Sequence, residues 1–102
     1  AALTNYSKAL AGQGLVDDVN VNWVSPRQTD TERLQTLIAT RARREGTTVQ
    51  AVREERMRDE GIRRLGRPDD VAALVCFLCG EEARHIHGAG ISVDGGATKG
   101  YF

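Results

Sequence analysis

Two short β-branched runs lie near opposite ends of this chain, Val19-Asn20-Val21-Asn22-Trp23-Val24 and Ile91-Ser92-Val93, and the sequence between them carries helical spacing throughout. This arrangement constrains the fold more than any other feature. Strands joined by a tight turn pair as a hairpin, but strands joined by a helical crossover pair side by side in parallel, with a right-handed connection. The first run is β-branched and aromatic and is followed by Pro26, so a strand is expected over 19–24. Gly88 and Gly90 bracket the approach to the second, and Asp94-Gly95-Gly96 closes it, giving an expected strand over 90–94. Two buried parallel strands in an α/β unit are the result.

The helices are marked by their ends. Leu3, Tyr6 and Leu10 recur at helical spacing up to Gly12 and Gly14, which predicts a helix over 1–14. It opens with no capping residue before it, as though cut inside an element. Thr29-Asp30-Thr31-Glu32 fits a capping box in which the Thr29 hydroxyl takes the Glu32 amide. Leu34, Leu37 and Ile38 form the apolar stripe of the helix that follows. Thr47-Thr48-Val49-Gln50 repeats the box and opens a charged helix whose core-facing residues are Val49, Val52 and Met57, so helices are expected over 30–60. Pro68 suits a first helical position, where its missing amide costs nothing, and Asp69 and Asp70 suit the positive end of the helix dipole. Val71, Leu74, Val75 and Leu78 give that helix, expected over 68–79, an apolar face with Phe77 beside it, and Gly80 closes it.

The 102 residues suffice for one small domain. Fourteen basic side chains balance fourteen acidic ones, so the overall charge calls for neither nucleic acid nor an anionic membrane surface. No apolar run approaches the roughly 20 residues of a membrane span. Cys76 and Cys79, three apart on an expected helix, suit reduced thiols rather than a disulfide framework, and a cytoplasmic protein is expected.

The segment Gly66-Arg67-Pro68-Asp69-Asp70-Val71-Ala72-Ala73-Leu74, taken with Ile91-Ser92-Val93-Asp94-Gly95-Gly96, closely resembles the carboxy-terminal end of the short-chain dehydrogenases/reductases. These are single-domain Rossmann-type oxidoreductases. The resemblance extends over nearly the whole chain and implies the carboxy-terminal portion of a doubly wound parallel sheet: two parallel strands and about four helices, residues 1–102 forming part of one domain. Ala1-Ala2-Leu3 and Lys8-Ala9-Leu10-Ala11 resemble the continuation of the helix that bears the family's Tyr-x-x-x-Lys pair, whose lysine the pattern places immediately before Ala1. Tyr6 does not replace that tyrosine, because four residues beyond it stands Leu10. The family's one-turn spacing puts phenol and ammonium on one helix face, where the cation makes the phenol a better proton donor and acceptor.

Asn22-Trp23-Val24-Ser25-Pro26-Arg27-Gln28-Thr29-Asp30-Thr31 resembles the strand end and loop that close over the nicotinamide ring in the family. The resemblance therefore implies cofactor contacts, to NAD or NADP in the intact enzyme, at Pro26, Thr29 and Thr31. It implies a substrate-region flap carrying Leu34, Leu37 and Ile38, although these also fit burial against the sheet. Arg27 departs from the pattern, standing where the family has glycine. If that position needs a positive φ, an arginine there is strained by about 1 kcal/mol; it could equally point outward, or favour an extra phosphate. The glycine-rich phosphate loop, the acidic or basic residue that selects between coenzymes, and the active-site serine are absent from these residues. The implied parent is a hydride-transferring oxidoreductase acting on a small hydroxyl/carbonyl substrate such as an acyl-thioester ketone, assembled as a homodimer or homotetramer. The chain alone is expected to be inactive. It could also be a non-catalytic fragment that associates with full-length relatives through its last helix and strand.

Two rival chemistries weigh less. Cys76, Cys79, His85 and His87 supply four zinc-type ligands, but the cysteines fall inside an apolar helix where small buried residues are expected. Residues 41–67 hold nine arginines against five acidic residues, yet the signs alternate closely and no aromatic side chains interleave to stack on bases. A solvated helix face with intrahelical ion pairs accounts for them better. No metal, nucleic-acid or membrane site is expected.

Overall fold

A computed structural model describes residues 2–99. Its elements are α1 (Ala2–Asp17), β1 (Trp23–Pro26), α2 (Glu32–Glu45), α3 (Val49–Glu60), α4 (Pro68–Leu78) and β2 (Gly90–Val93), with one 3₁₀ turn at Glu81–Ala83. The strands pair in parallel, Trp23 opposite Gly90 and Pro26 opposite Val93, so the three helices between them form a crossover. The fold is α/β.

The strand near Trp23 begins four residues later than the sequence predicts and extends through Pro26. The reason lies in the two asparagines. Asn20 Nδ2 donates to the Arg84 carbonyl at 2.8 Å, and Asn22 Nδ2 to that of Ile86 at 3.0 Å. The Asn22 carbonyl oxygen accepts from the Ala89 amide at 3.0 Å. Residues 20–22 therefore run beside 84–89 mainly through side-chain bonds, with the Gly88 amide donating to the Val21 carbonyl at 2.7 Å as a single backbone link rather than a continued ladder. Pro26 fits the last strand position because it need not donate there.

Helix α1 does not stop at Gly12 or Gly14 but runs to Asp17, where Asp18 turns the chain at φ 58°. Gly14 serves close approach instead. A Cβ there would collide with the Val19 carbonyl and crowd the His87 ring. The expected start at Ala1 lies outside the described residues. Both threonine caps sit one or two residues later than the spacing suggests. Thr31, not Thr29, accepts from the Leu34 amide at 3.3 Å, and Thr48, not Thr47, accepts from Ala51 at 3.1 Å. Each hydroxyl thus satisfies an amide in the first turn, the general requirement of a helix start. Gly46 and Gly61 end α2 and α3 in left-handed conformation. α4 starts at Pro68 with the Asp70 carboxylate accepting from the Arg67 amide at 2.7 Å, and ends at Leu78, before Gly80.

The core is one small cluster, Leu34, Ile38 and Ala42 of α2 against Val52 of α3 and against Ile62 and Leu65, with Met57 and Ala97 packed on it. Val49, expected in this core, is 46% exposed. The strands are only half-buried and no residue of α4 is fully buried, so Cys76 and Cys79 are exposed rather than packed. Leu3, Tyr6, Leu10, Leu15 and Val16 of α1 all face solvent. The radius of gyration, 17.1 Å, exceeds the ~13 Å expected of a compact domain of this length.

One close contact fixes where α1 and the sheet meet. His87 Nδ1 accepts from the Val21 amide at 3.1 Å, and its Nε2 pairs with the Ala11 carbonyl at 2.8 Å, so the ring bridges α1 to the approach to β1. Nearby, the Trp23 ring covers Gly90, where any Cβ would overlap Nε1, Cε2 and Cζ2, and the Lys8 ammonium stands 5.6 Å from the ring centroid. Gly90→Ala is therefore expected to lower stability by about 1–3 kcal/mol through overpacking, read as a lower urea midpoint. An unchanged midpoint would contradict the Trp23–Gly90 contact.

Candidate functional site

Parallel pairing brings the carboxyl ends of β1 and β2 to one edge, where open α/β sheets bind ligands. The segment leaving β1 there is held by backbone bonds at every step. Arg27 donates its amide to the Val93 carbonyl at 3.1 Å, Gly66 donates to Gln28 at 2.8 Å, and Asp30 donates to Gly66 at 2.7 Å. Thr29 and Gly66 form an isolated parallel bridge, which ties this loop to the residues preceding α4. The left-handed residue of the loop is Gln28, at φ 53°. Arg27, in the position where the resemblance has glycine, is not in that region, so its side chain carries no backbone strain.

Helix α3 clamps the loop from the side. Arg53 makes a bidentate pair with Asp30, at 3.1 and 3.0 Å, and Arg56 Nε donates to Gln28 Oε1 at 2.9 Å. The hydrogen bond from Arg53 is the main influence holding the Asp30 carboxyl below its ordinary range, and partial burial opposes it. These arginines do not form the intrahelical ion pairs that the sequence suggests. Arg41 likewise bridges α2 to α3 through Glu55 at 2.8 Å, in addition to its in-helix partner Glu45 at 2.7 Å. Mixed charge along α3 hid a tertiary clamp. The only sequence signal for it was the pair of arginines three apart, which share one helix face.

Beyond β2, a second turn lies at the same edge. Asp94 is buried and accepts from the amides of Gly96 at 3.0 Å and Thr98 at 2.9 Å. Bonds from Thr98 and Gly96 hold its carboxyl below the usual value, with the nearby Arg27 charge adding to them. Gly95 and Gly96, at φ 65° and 95°, supply the left-handed backbone that this turn requires.

Pro26, Thr29 and Thr31 all lie on the loop at this edge. Pro26 is exposed; Thr29 is half-buried with its Oγ1 donating to the Arg27 carbonyl at 3.4 Å. Thr31 is exposed, and because its oxygen accepts as a helix cap, its proton remains for an outside acceptor. Leu34, Leu37 and Ile38 separate. Leu34 and Ile38 belong to the core, at 7% and 2% exposure, whereas Leu37 is 53% exposed. Leu37 and the edge of Ile38 line a shallow surface cavity of about 280 Å³ between α2 and α3, and of the three side chains Leu37 is the exposed one.

Tyr6 is 66% exposed and lies on α1. Both nitrogens of His87 are engaged by backbone groups, and no group of three or more His, Cys, Asp or Glu side chains placed to hold a metal ion occurs among the described residues. No described helix is long and apolar enough to cross a membrane.

Residues 1–98 match the family model described as Enoyl-(Acyl carrier protein) reductase. The chain belongs to the short-chain dehydrogenase/reductase family. It is 32% identical to the NADPH-dependent reductase BacG of Bacillus subtilis, over 97% of this chain and 38% of that protein. It is 33% identical to acetoacetyl-CoA reductase of Shinella zoogloeoides, over 89% of this chain and 34% of that protein. L-sorbose reductase of Gluconobacter frateurii, solved with NADPH and L-sorbose, superposes with a TM-score of 0.90 at 27% identity, over 98% of this chain and 38% of that one. The chain thus spans well under half the length of these relatives. The solved family members have the Rossmann fold, and the two strands and four helices here correspond to part of it.

The clamp yields a pH dependence. Because the folded Asp30 value lies below the unfolded one, its contribution is fully present above about pH 4 and is lost as pH falls through the depressed folded value. Arg53→Gln is expected to lower the urea midpoint by an amount equivalent to about 0.5–1 kcal/mol at neutral pH. The difference from the parent chain should shrink below about pH 4. A difference independent of pH would contradict the ion pair.

Proposed function

We propose that this chain is the carboxy-terminal part of an NAD(P)-dependent oxidoreductase that transfers hydride between nicotinamide and a hydroxyl/carbonyl substrate. One observation carries this reading: the Pro26–Thr31 loop, in the family pattern, is fixed at the carboxyl ends of two parallel strands with the Thr31 proton available to a ligand. The loop fits a nicotinamide carboxamide or an adjoining phosphate oxygen, since both accept hydrogen bonds. When bound, the dinucleotide supplies or receives the hydride. The residues of this chain hold it: Thr31 donates a hydrogen bond, Thr29 and Pro26 shape the wall, and Gly66, Arg53 and Arg56 keep the loop from moving. Leu37 contributes an apolar side to a substrate flap.

Proton transfer falls to a tyrosine and lysine outside these residues, which contain no Tyr-x-x-x-Lys. The half-buried strands and the exposed apolar side chains of α1 support a larger sheet around them. The coenzyme is NAD or NADP, the substrate a small carbonyl compound, with an acyl thioester the broad choice, and the place of action the cytoplasm. The intact protein is a homodimer or homotetramer. A second reading, a non-catalytic piece that associates with full-length relatives, draws support from α4 and its partly exposed Val75 and Phe77, each at 44%.

The purified chain is expected to show no nicotinamide oxidation with any carbonyl substrate. In the protein encoded by a reading frame extended upstream of Ala1, Thr31→Val should raise the dinucleotide KM about 2- to 12-fold, the worth of one hydrogen bond, while Thr31→Ser keeps both cap and donor. An unchanged KM in a folded Thr31→Val enzyme would sink the assignment.

A further inference from the structure

At the carboxyl edge of the sheet lies a cleft of about 320 Å³ whose walls carry Arg27, Arg63 and Arg64. Arg27 comes from the end of β1, Arg63 and Arg64 from the segment between α3 and α4, so arginines from two parts of the chain line one cleft. None of them forms an ion pair with a carboxylate among the described residues. Among the described residues, Arg27 Nη1 reaches only the Thr98 hydroxyl, at 3.5 Å. Two acids also line the cleft, but each is committed elsewhere. Asp70 accepts from the Arg67 amide at 2.7 Å, and Asp94 accepts from Gly96 and Thr98. Both carboxylates stay ionised, and Asp94 feels the Arg27 charge, so three arginines against two acids leave the cleft wall a net surplus of one positive charge, with guanidinium donors unfilled among the described residues.

We infer that this cleft, between Arg27 at the end of β1 and the Arg63–Arg64 pair before α4, binds the dianionic phosphoryl group of a small metabolite. Guanidinium groups match phosphate oxygens two at a time, and charge-assisted bonds of this kind are about twice as strong as neutral ones. Three such groups offer enough donors to surround one phosphoryl group. The volume is that of a small-ligand pocket, with room for the body of the molecule as well. Gly66 and Gly95 contribute backbone to the lining of the cleft. This inference goes beyond the hydride-transfer reading and stands without it, because phosphoryl binding can be measured on the chain alone. The phosphoryl group could belong to the dinucleotide or to a separate metabolite.

Calorimetric titration of inorganic phosphate into the purified chain tests the site. Saturable one-to-one binding at millimolar concentration or tighter is expected. Arg27→Gln and Arg63→Gln should each weaken it about tenfold or more, the loss of a charge-assisted bond, while Arg43→Gln, exposed on α2, should leave it unchanged. Should Arg27→Gln fail to fold, Arg63→Gln carries the test. Displacement of phosphate by NADP but not by NAD would assign the phosphoryl group to the dinucleotide; displacement by neither would assign it to a separate metabolite; both uphold the site. Absence of saturation, indifference to Arg27→Gln and Arg63→Gln, or equal weakening by Arg43→Gln would overturn it.

Discussion

The parallel pairing of β1 with β2 is the constraint on which everything else in this chain rests. It joins residues nearly seventy positions apart and sets Pro26 beside Val93, so that the loop leaving one strand and the turn leaving the other share one edge. Backbone pairing alone would leave those loops free to move. Here Gly66 ties the first to the residues before α4, Arg53 and Arg56 hold it from α3, and Asp94 folds the second around its own amides. These ties are thus concentrated at the carboxyl end of the strands. The rest of the chain is comparatively loose.

That looseness has a physical origin. A small core under α2 and α3 is the main apolar cluster, and the strands are covered only in part. Helix α1 carries Leu3, Tyr6, Leu10, Leu15 and Val16 into solvent and is joined to the sheet chiefly through His87, the Lys8 contact and the close approach at Gly14. Apolar surface of this extent ordinarily seeks cover. A sheet continuing beyond β1 would provide it, in keeping with relatives that are more than twice as long.

The fold was legible because its signals are local and periodic: β-branched strands, Pro68 at a helix start, glycines at helix ends. The family was legible for a different reason, the joint occurrence of the Gly66–Leu74 and Ile91–Gly96 segments. What the sequence hid was tertiary. Asn20 and Asn22 look like strand residues by their neighbours, yet their side chains carry most of the bonding there and only Val21 between them keeps a backbone bond, from Gly88. The closely spaced threonines at 29 and 31, and at 47 and 48, are equivalent by composition, and only the path of the backbone decides which hydroxyl meets the helix. Leu34, Leu37 and Ile38 share a stripe, but a small core accepts two of them and leaves the third outside. Arg53 gave no sign of Asp30, because a pair twenty-three residues apart has no periodic signature.

The central claim is that residues 26–31 form a wall of a dinucleotide site completed by other parts of a larger protein. Amide hydrogen exchange, measured residue by residue on the protein from the extended reading frame with and without saturating NADP or NAD, tests it most directly. The account predicts slowed exchange at residues 26–31 and little change along α1 and in the α2–α3 core. Exchange unaltered throughout 26–31 while the coenzyme is demonstrably bound would contradict it.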